Sequence, residues 1–218
     1  LEALFKELGE ISEYPKEYNK ELLFPIPRSD KRNTLNILNK GRFKGYDLWR
    51  AYEISWLDLK GKPIVAMGEF KISADTINLI ESKSFKLYLN SLNQTRFESL
   101  EVVQEMLAKD IQLCCQGDVT VRLFSPSSPN LLPHEPEGQL IDDLDVEITE
   151  YYPNKNLLKV DSPIVSESVH SHLLKSNCPV TGQPDWGTLQ IQYRGPQIDH
   201  AQLLKYIISY RECQEFHE

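Results

Sequence analysis

The chain has 218 residues, of which 40% are apolar and 26% charged. This is an ordinary globular composition that excludes a disordered chain and allows one large domain or two small ones. Lys and Arg number 24 against 32 Asp and Glu, a net charge of −8, which argues against a protein that works by gripping nucleic-acid phosphates. A local cationic pocket for a small phosphorylated ligand remains compatible with that balance. The longest apolar runs, Leu22 to Pro27 and Pro63 to Gly68, fall far short of the ~18 residues of a membrane span. The opening residues mix charges of both signs, unlike a secretory signal. Cys114, Cys115, Cys178 and Cys213 form no Cys-x-x-Cys pair and no zinc-type spacing, so a reducing, cytoplasmic setting without a bound metal is expected.

In chain order, Tyr52, Ile54 and Trp56 alternate with polar residues and predict a strand with one buried face. Lys60-Gly61-Lys62-Pro63 turns the chain into a second strand, with Ile64, Ala66, Gly68, Phe70 and Ile72 on one face, making a hairpin. Leu100, Val103, Leu107, Ile111 and Cys114 recur at helical spacing, and Gly117 stands where a C-cap belongs. Val119, Val121 and Leu123 predict a further strand. Residues 125–138, with prolines at 126, 129, 133 and 136, read as a connection between a first half (1–124) and a second (139–218). In the second half Leu144, Val146 and Ile148 predict a strand, and an extended run surrounds Leu157 to Val160. Ser166 to Lys175 reads as helical, and Leu189, Ile191 and Tyr193 as a strand. Asp199, with Gln202 three residues on, opens a helix carrying Leu203, Leu204, Ile207 and Ile208. Strand pair, helix and strand in both halves predict an α+β fold, antiparallel sheets with helices packed on one face.

Two segments depart from what folding alone requires. In Ile80-Glu81-Ser82-Lys83-Ser84-Phe85-Lys86-Leu87-Tyr88, a carboxylate sits beside two Lys and two Ser. Cations, hydroxyls and backbone N–H groups there would suit a phosphate, and the carboxylate an amidine-like edge. The same residues would equally make a helix N-terminus with a solvated, charge-paired face. The second segment runs from Ser176 to Gly187, where Cys178 meets a Pro/Gly-rich loop and Asp185 follows seven residues later beside Trp186. A partly accessible thiol is a candidate nucleophile, and a carboxyl desolvated by Trp186 a candidate proton donor. The alternative is a semi-buried structural cysteine with an Asp making a turn. Phe216-His217-Glu218 by itself is an ordinary helix end.

Taken together, these three segments resemble the QueF family, the NADPH-dependent nitrile reductases of queuosine biosynthesis. Glu81 to Tyr88 is similar to its signature motif, Ser176-Asn177-Cys178 with Gln183 to Gly187 to its catalytic loop, and Phe216-His217-Glu218 to its substrate-anchoring segment. The resemblance runs over nearly the whole chain in the family's long form. It implies tandem tunnelling-fold (T-fold) units, a homodimer and reduction of 7-cyano-7-deazaguanine to 7-aminomethyl-7-deazaguanine with two NADPH. It implies Cys178 as nucleophile, giving a covalent thioimide, and Asp185 as proton donor, followed by two hydride transfers. Ile80, Glu81, Ser82, Phe216, His217 and Glu218 would bind the substrate, and Ser82 and Lys83 the NADPH. The substrate would be a free base, so neither nucleic acid nor membrane is an expected partner. The family continues past the His-Glu pair with an Arg-Gly element at the NADPH phosphates, so a second half cut short at Glu218 is expected. Two rivals are a zinc-dependent T-fold enzyme resembling GTP cyclohydrolase and a non-catalytic purine- or pterin-binding T-fold module. The first lacks a Cys/His ligand pattern here, and the second leaves Cys178 with Asp185 unexplained.

Overall fold

The computed structural model describes residue 15 and residues 17–34, 44–128, 136–179 and 182–215. They form an α+β fold divided into two compact units, one within 13–132 and one within 133–218. The division falls inside the Pro-rich stretch. Among the described residues no helix is long and apolar enough to cross a membrane.

The first unit contains β1 (Pro25–Pro27), α1 (Arg28–Thr34), β2 (Tyr46–Leu57), β3 (Pro63–Ser73), β4 (Asn78–Ile80), α2 (Ser82–Asn90), α3 (Leu100–Cys115) and β5 (Val119–Phe124). Strands β2, β3 and β5 make an antiparallel sheet in that order, and β1 pairs antiparallel with β4. The β2–β3 turn closes because Asp58 Oδ1 accepts from the N–H groups of Lys60 (2.9 Å) and Lys62 (2.8 Å). Gly61 supplies the left-handed φ of +86° that this turn needs. On β3, Ala66, Gly68, Phe70 and Ile72 all point inward as expected. On β2 the expected face is only partly right: Ile54 and Trp56 are buried, but Tyr52 is 51% exposed. A bulge between Ala51 and Ile54 adds a residue and flips the alternation there.

Helices α2 and α3 cover the inner face of this sheet. Phe85 of α2 meets Phe70 edge-on at 4.9 Å and Trp49 at 5.6 Å, and Val103, Leu107 and Ile111 of α3 are fully buried. Phe70→Ala is therefore expected to cost this unit ~3–5 kcal/mol. A shift of the urea midpoint reads this out, and an unchanged midpoint would contradict the packing. Helix α3 ends at Cys115, and Gln116, not Gly117, takes the left-handed position with φ 53°. Gly117 is instead pressed against Thr76, whose Cγ2 would lie 2.8 Å from any added Cβ.

Asp110, on the buried side of α3, accepts at one oxygen from the hydroxyls of both Tyr18 (2.6 Å) and Tyr88 (2.7 Å). Burial first, and then the Asp110 carboxylate, push both phenols well above the ordinary tyrosine value. A folded-state value above the unfolded one means this stabilisation is whole below pH ~10 and is lost as pH rises from there toward the folded values. Urea midpoints of the wild type should thus fall on raising pH above ~10, and those of the Tyr18→Phe, Tyr88→Phe pair should fall less. Equal slopes would contradict the buried cluster.

The second unit contains β6 (Gln139–Leu140), β7 (Val160–Asn177), β8 (Pro184–Ile198) and α4 (His200–Ile208), with a 3-10 turn at Ser209–Glu212. The sheet order is β6, β7, β8, with β6 parallel to β7 and β8 antiparallel to it. Gly138, φ +104°, lets the chain pass against β7; a Cβ there would lie 2.2 Å from the Ser168 carbonyl oxygen. Asp199 caps α4 as expected, its Oδ1 accepting from Gln202 N–H at 3.0 Å. Leu203, Leu204 and Ile207 then bury against Ile141 and Val169.

Two expectations fail in this unit. Ser166 to Lys175 is not a helix but the middle of β7. Val165, Val169 and Leu173 recur every four residues, a spacing that fits a helix turn and, being even, fits one face of a strand equally well. The long ladder with β8 decides for the strand, with a bulge between Ser171 and Leu174. Residues 144–150 keep the alternation, with Leu144, Val146 and Ile148 half-buried, but make no strand. Apolar alternation buries a face, and a strand also needs a ladder partner.

Candidate active site

Strand β4 ends at Ile80, which is fully buried and paired with Pro25. Glu81 then caps α2. Its Oε1 accepts from Lys83 N–H (2.9 Å) and its Oε2 from Ser84 N–H (2.7 Å), while its own N–H donates to the Phe24 carbonyl (2.9 Å). Glu81 is 4% exposed, and such a cap fixes both the carboxylate's position and the start of the helix. The two N–H groups that the sequence offers to a phosphate are therefore already taken by Glu81. What α2 presents outward is side chains. Ser82 and Lys86 are exposed and Lys83 is half-buried.

These three residues line one side of a cavity of about 910 Å³ whose opposite side is β2 from Trp49 to Ser55. Its charged lining is Arg50, Lys83 and Lys86 against the single carboxylate of Glu53. The Arg50 Nε lies 3.6 Å from Glu69. A hydroxyl and two or three cations around a space of that size suit a ligand bearing phosphate groups. NADPH fits this donor set. Lys86 and Arg50 were not among the expected binding residues. Lys86 could have been found from its helical i,i+3 spacing to Lys83, whereas nothing local marks Arg50.

Cys178 and Asp185 lie in the second unit, at the end of the β7–β8 hairpin. Cys178 N–H donates to the Gln183 carbonyl (2.8 Å), and Gly182 N–H to the Cys178 carbonyl (2.9 Å). The ladder pairs Ser176 with Asp185 and Asn177 with Pro184. Continuing that register sets Cys178 opposite Gln183, so Asp185 is its diagonal neighbour on the same face. The thiol is half-buried and Asp185 exposed. The expected cover of Asp185 by Trp186 is absent. Adjacent strand residues point to opposite faces, and Trp186 pairs with Lys175 and carries the Arg211 guanidinium 5.5 Å from its ring. Burial pushes the Cys114 thiol up to about 11 and that of Cys115 up to about 12. Phe216, His217 and Glu218 lie outside the described residues. Among the described residues, no three or more His, Cys, Asp or Glu cluster in a way that would hold a metal ion.

One unit thus carries a hairpin with a thiol and a carboxyl, and the other a cation-lined cavity. A family model described as "Nitrile reductase, 7-cyano-7-deazaguanine-reductase N-term" matches residues 14–123. The chain is 53% identical over 214 residues to the NADPH-dependent 7-cyano-7-deazaguanine reductase of Coxiella burnetii (strain CbuK_Q154), covering 97% of this chain and 77% of that protein. It is 53% identical over 212 residues to the protein of the same name from Chromohalobacter salexigens, covering 97% and 76%. Against that from Hahella chejuensis it is 50% identical over 217 residues, covering 97% and 78%. The chain belongs to the 7-cyano-7-deazaguanine reductase family.

Proposed function

We propose that this chain is an oxidoreductase that uses NADPH to reduce the nitrile of 7-cyano-7-deazaguanine to the primary amine, within queuosine biosynthesis. One observation carries this reading: a hairpin with Cys178 and Asp185 on one face, in a chain 53% identical to a reductase of that name. A nitrile is a weak electrophile, so the protein must first change it. The Cys178 thiolate bonds to the nitrile carbon, one C–N π bond breaks toward nitrogen, and Asp185 delivers its proton there. The resulting thioimide holds a C=N that accepts hydride far more readily. NADPH, when bound, would supply that hydride; the C–S bond then breaks to return the Cys178 thiolate and leave an imine, which takes a second hydride and a proton to become the amine.

Ser82 and Lys83 would hold the NADPH, and Lys86 and Arg50, which line the same cavity as these two, would add charge there. Ile80 and Glu81 line the base. Glu218 accepts the paired N–H donors of its amidine edge, with His217 beside it and Phe216 packed on the ring. The tandem T-fold reading divides the chain into 1–124, the connection 125–138 and 139–218. A homodimer and a cytoplasmic location accompany it, and the free-base substrate requires no nucleic-acid or membrane partner. Full chain mixed with NADPH should consume it only when the nitrile base is added. Reducing a nitrile to an amine takes four electrons, so two NADPH should be used per amine formed. Nitrile recovered unchanged, or consumption of NADPH that does not depend on it, would overturn the reading.

A further inference from the structure

Strand β2 stands at the edge of its sheet and carries a bulge, where three steps from Ala51 to Ile54 face two on β3. A bulge gives up ladder bonds, and near a binding site its usual return is a re-aimed side chain. Here that side chain is Tyr52. Unbroken alternation would have turned it inward with Ile54 and Trp56; instead it is exposed and lies on the lining of the cation-lined cavity.

Arg50, two residues earlier on β2, lines the same cavity. Its Nε is 3.6 Å from the Glu69 carboxylate, its ladder partner on β3. An ion pair at that distance orients the guanidinium without a hydrogen bond that would occupy its fork of donors. Across the cavity stand Ser82, Lys83 and Lys86 of α2. Cations therefore occupy two walls, and one of those walls also offers an aromatic ring.

NADPH is anionic in two places, at the pyrophosphate that joins its halves and at a monoester phosphate on the adenosine ribose. NADH lacks the second, so discrimination between them needs a group at that phosphate. An arginine suits it, since the planar fork meets two phosphate oxygens at once. A purine suits the face of an aromatic ring.

We propose that the bulged segment of β2 is the adenosine subsite of this cavity, with Arg50 selecting NADPH over NADH by its 2′-phosphate and Tyr52 stacking on the adenine. This rests on the function proposed above, in which Ser82 and Lys83 hold the same cofactor. The bulge is then the device that brings the ring out beside the guanidinium.

Adenosine 2′,5′-bisphosphate and 5′-AMP, which differ only in the 2′-phosphate, separate the two roles in calorimetric titrations of the full chain. Wild type should bind the bisphosphate at least ~10-fold more tightly than 5′-AMP. Arg50→Gln should weaken the bisphosphate ~10- to 100-fold and 5′-AMP by no more than about twofold. Arg50→Lys, which keeps the charge but not the fork, should recover part of the loss. Tyr52→Ala should weaken both nucleotides alike, ~5- to 50-fold, and Tyr52→Phe neither. Both residues are exposed, so these variants should fold, and 5′-AMP binding by Arg50→Gln shows that the cavity is intact. Wild type that binds the two nucleotides equally, or binds neither, would overturn the proposal. So would equal losses of both in Arg50→Gln, or affinities unmoved by Arg50→Gln and Tyr52→Ala. Nitrile-dependent consumption of NADPH alongside any of those results fails the subsite alone, whereas its absence from wild type fails the proposed function.

Discussion

Cys178→Ala is expected to abolish nitrile reduction, a loss of at least ~10,000-fold in turnover. The size of the effect follows from the chemistry: without a sulfur to add, hydride would have to reach an unactivated nitrile carbon. Cys114 and Cys115 sit on α3 in the other core, held protonated by burial, and Cys213 meets β7 through its backbone carbonyl. The Cys178 side chain makes none of the hairpin's ladder bonds, so the variant should fold normally. NADPH oxidation within tenfold of wild type would exclude Cys178 as nucleophile.

Asp185→Asn is the second large effect. An amide of the same shape cannot release a proton to the nitrile nitrogen, and removal of such a donor costs ~100- to 10,000-fold. Asp185 is exposed and its ladder pairing with Ser176 uses backbone atoms only. Stability and base binding, measured by calorimetric titration, should therefore be nearly unchanged. Turnover within about fivefold of wild type would assign the proton donor elsewhere. Because Trp186 faces Arg211 and leaves Asp185 open, any desolvation of this carboxyl must come from what binds next to it, not from its own loop.

Much of the architecture is legible in the residues because local and global preferences agree. The β2–β3 hairpin, α3, β5, β8 and the Asp199-capped α4 all carry a period, a turn or a cap that matches their environment. The disagreements have identifiable causes. A bulge, which no periodicity announces, turns Tyr52 outward. The four-residue spacing along β7 is common to both helix and strand, so only the partner β8 resolves it. Residues 144–150 alternate without finding a ladder.

The candidate site divides in the same way. Cys178 and Asp185 are visible as a pair because they flank one Pro/Gly-rich loop, and the register then explains how a separation of seven residues brings them to one face. Glu81 is more than a motif residue, since it is also the cap on which α2 starts. The helix-start reading of that segment is the one observed, and the bonded carboxylate gives the exposed Ser82 and Lys86 a fixed base. Arg50 and Tyr52 were legible only as strand residues. The bulge that turns Tyr52 outward and the α2 residues across the cavity from both come together only in the folded chain.

A single cysteine of this chain is expected to capture the nitrile before any hydride moves. Intact-mass measurement of full chain incubated with 7-cyano-7-deazaguanine and no NADPH tests it most directly. The expected result is an increase of one substrate mass, with the modified peptide mapping to Cys178 and the shift absent from Cys178→Ala. An unmodified mass, or an adduct that persists in Cys178→Ala, would contradict it.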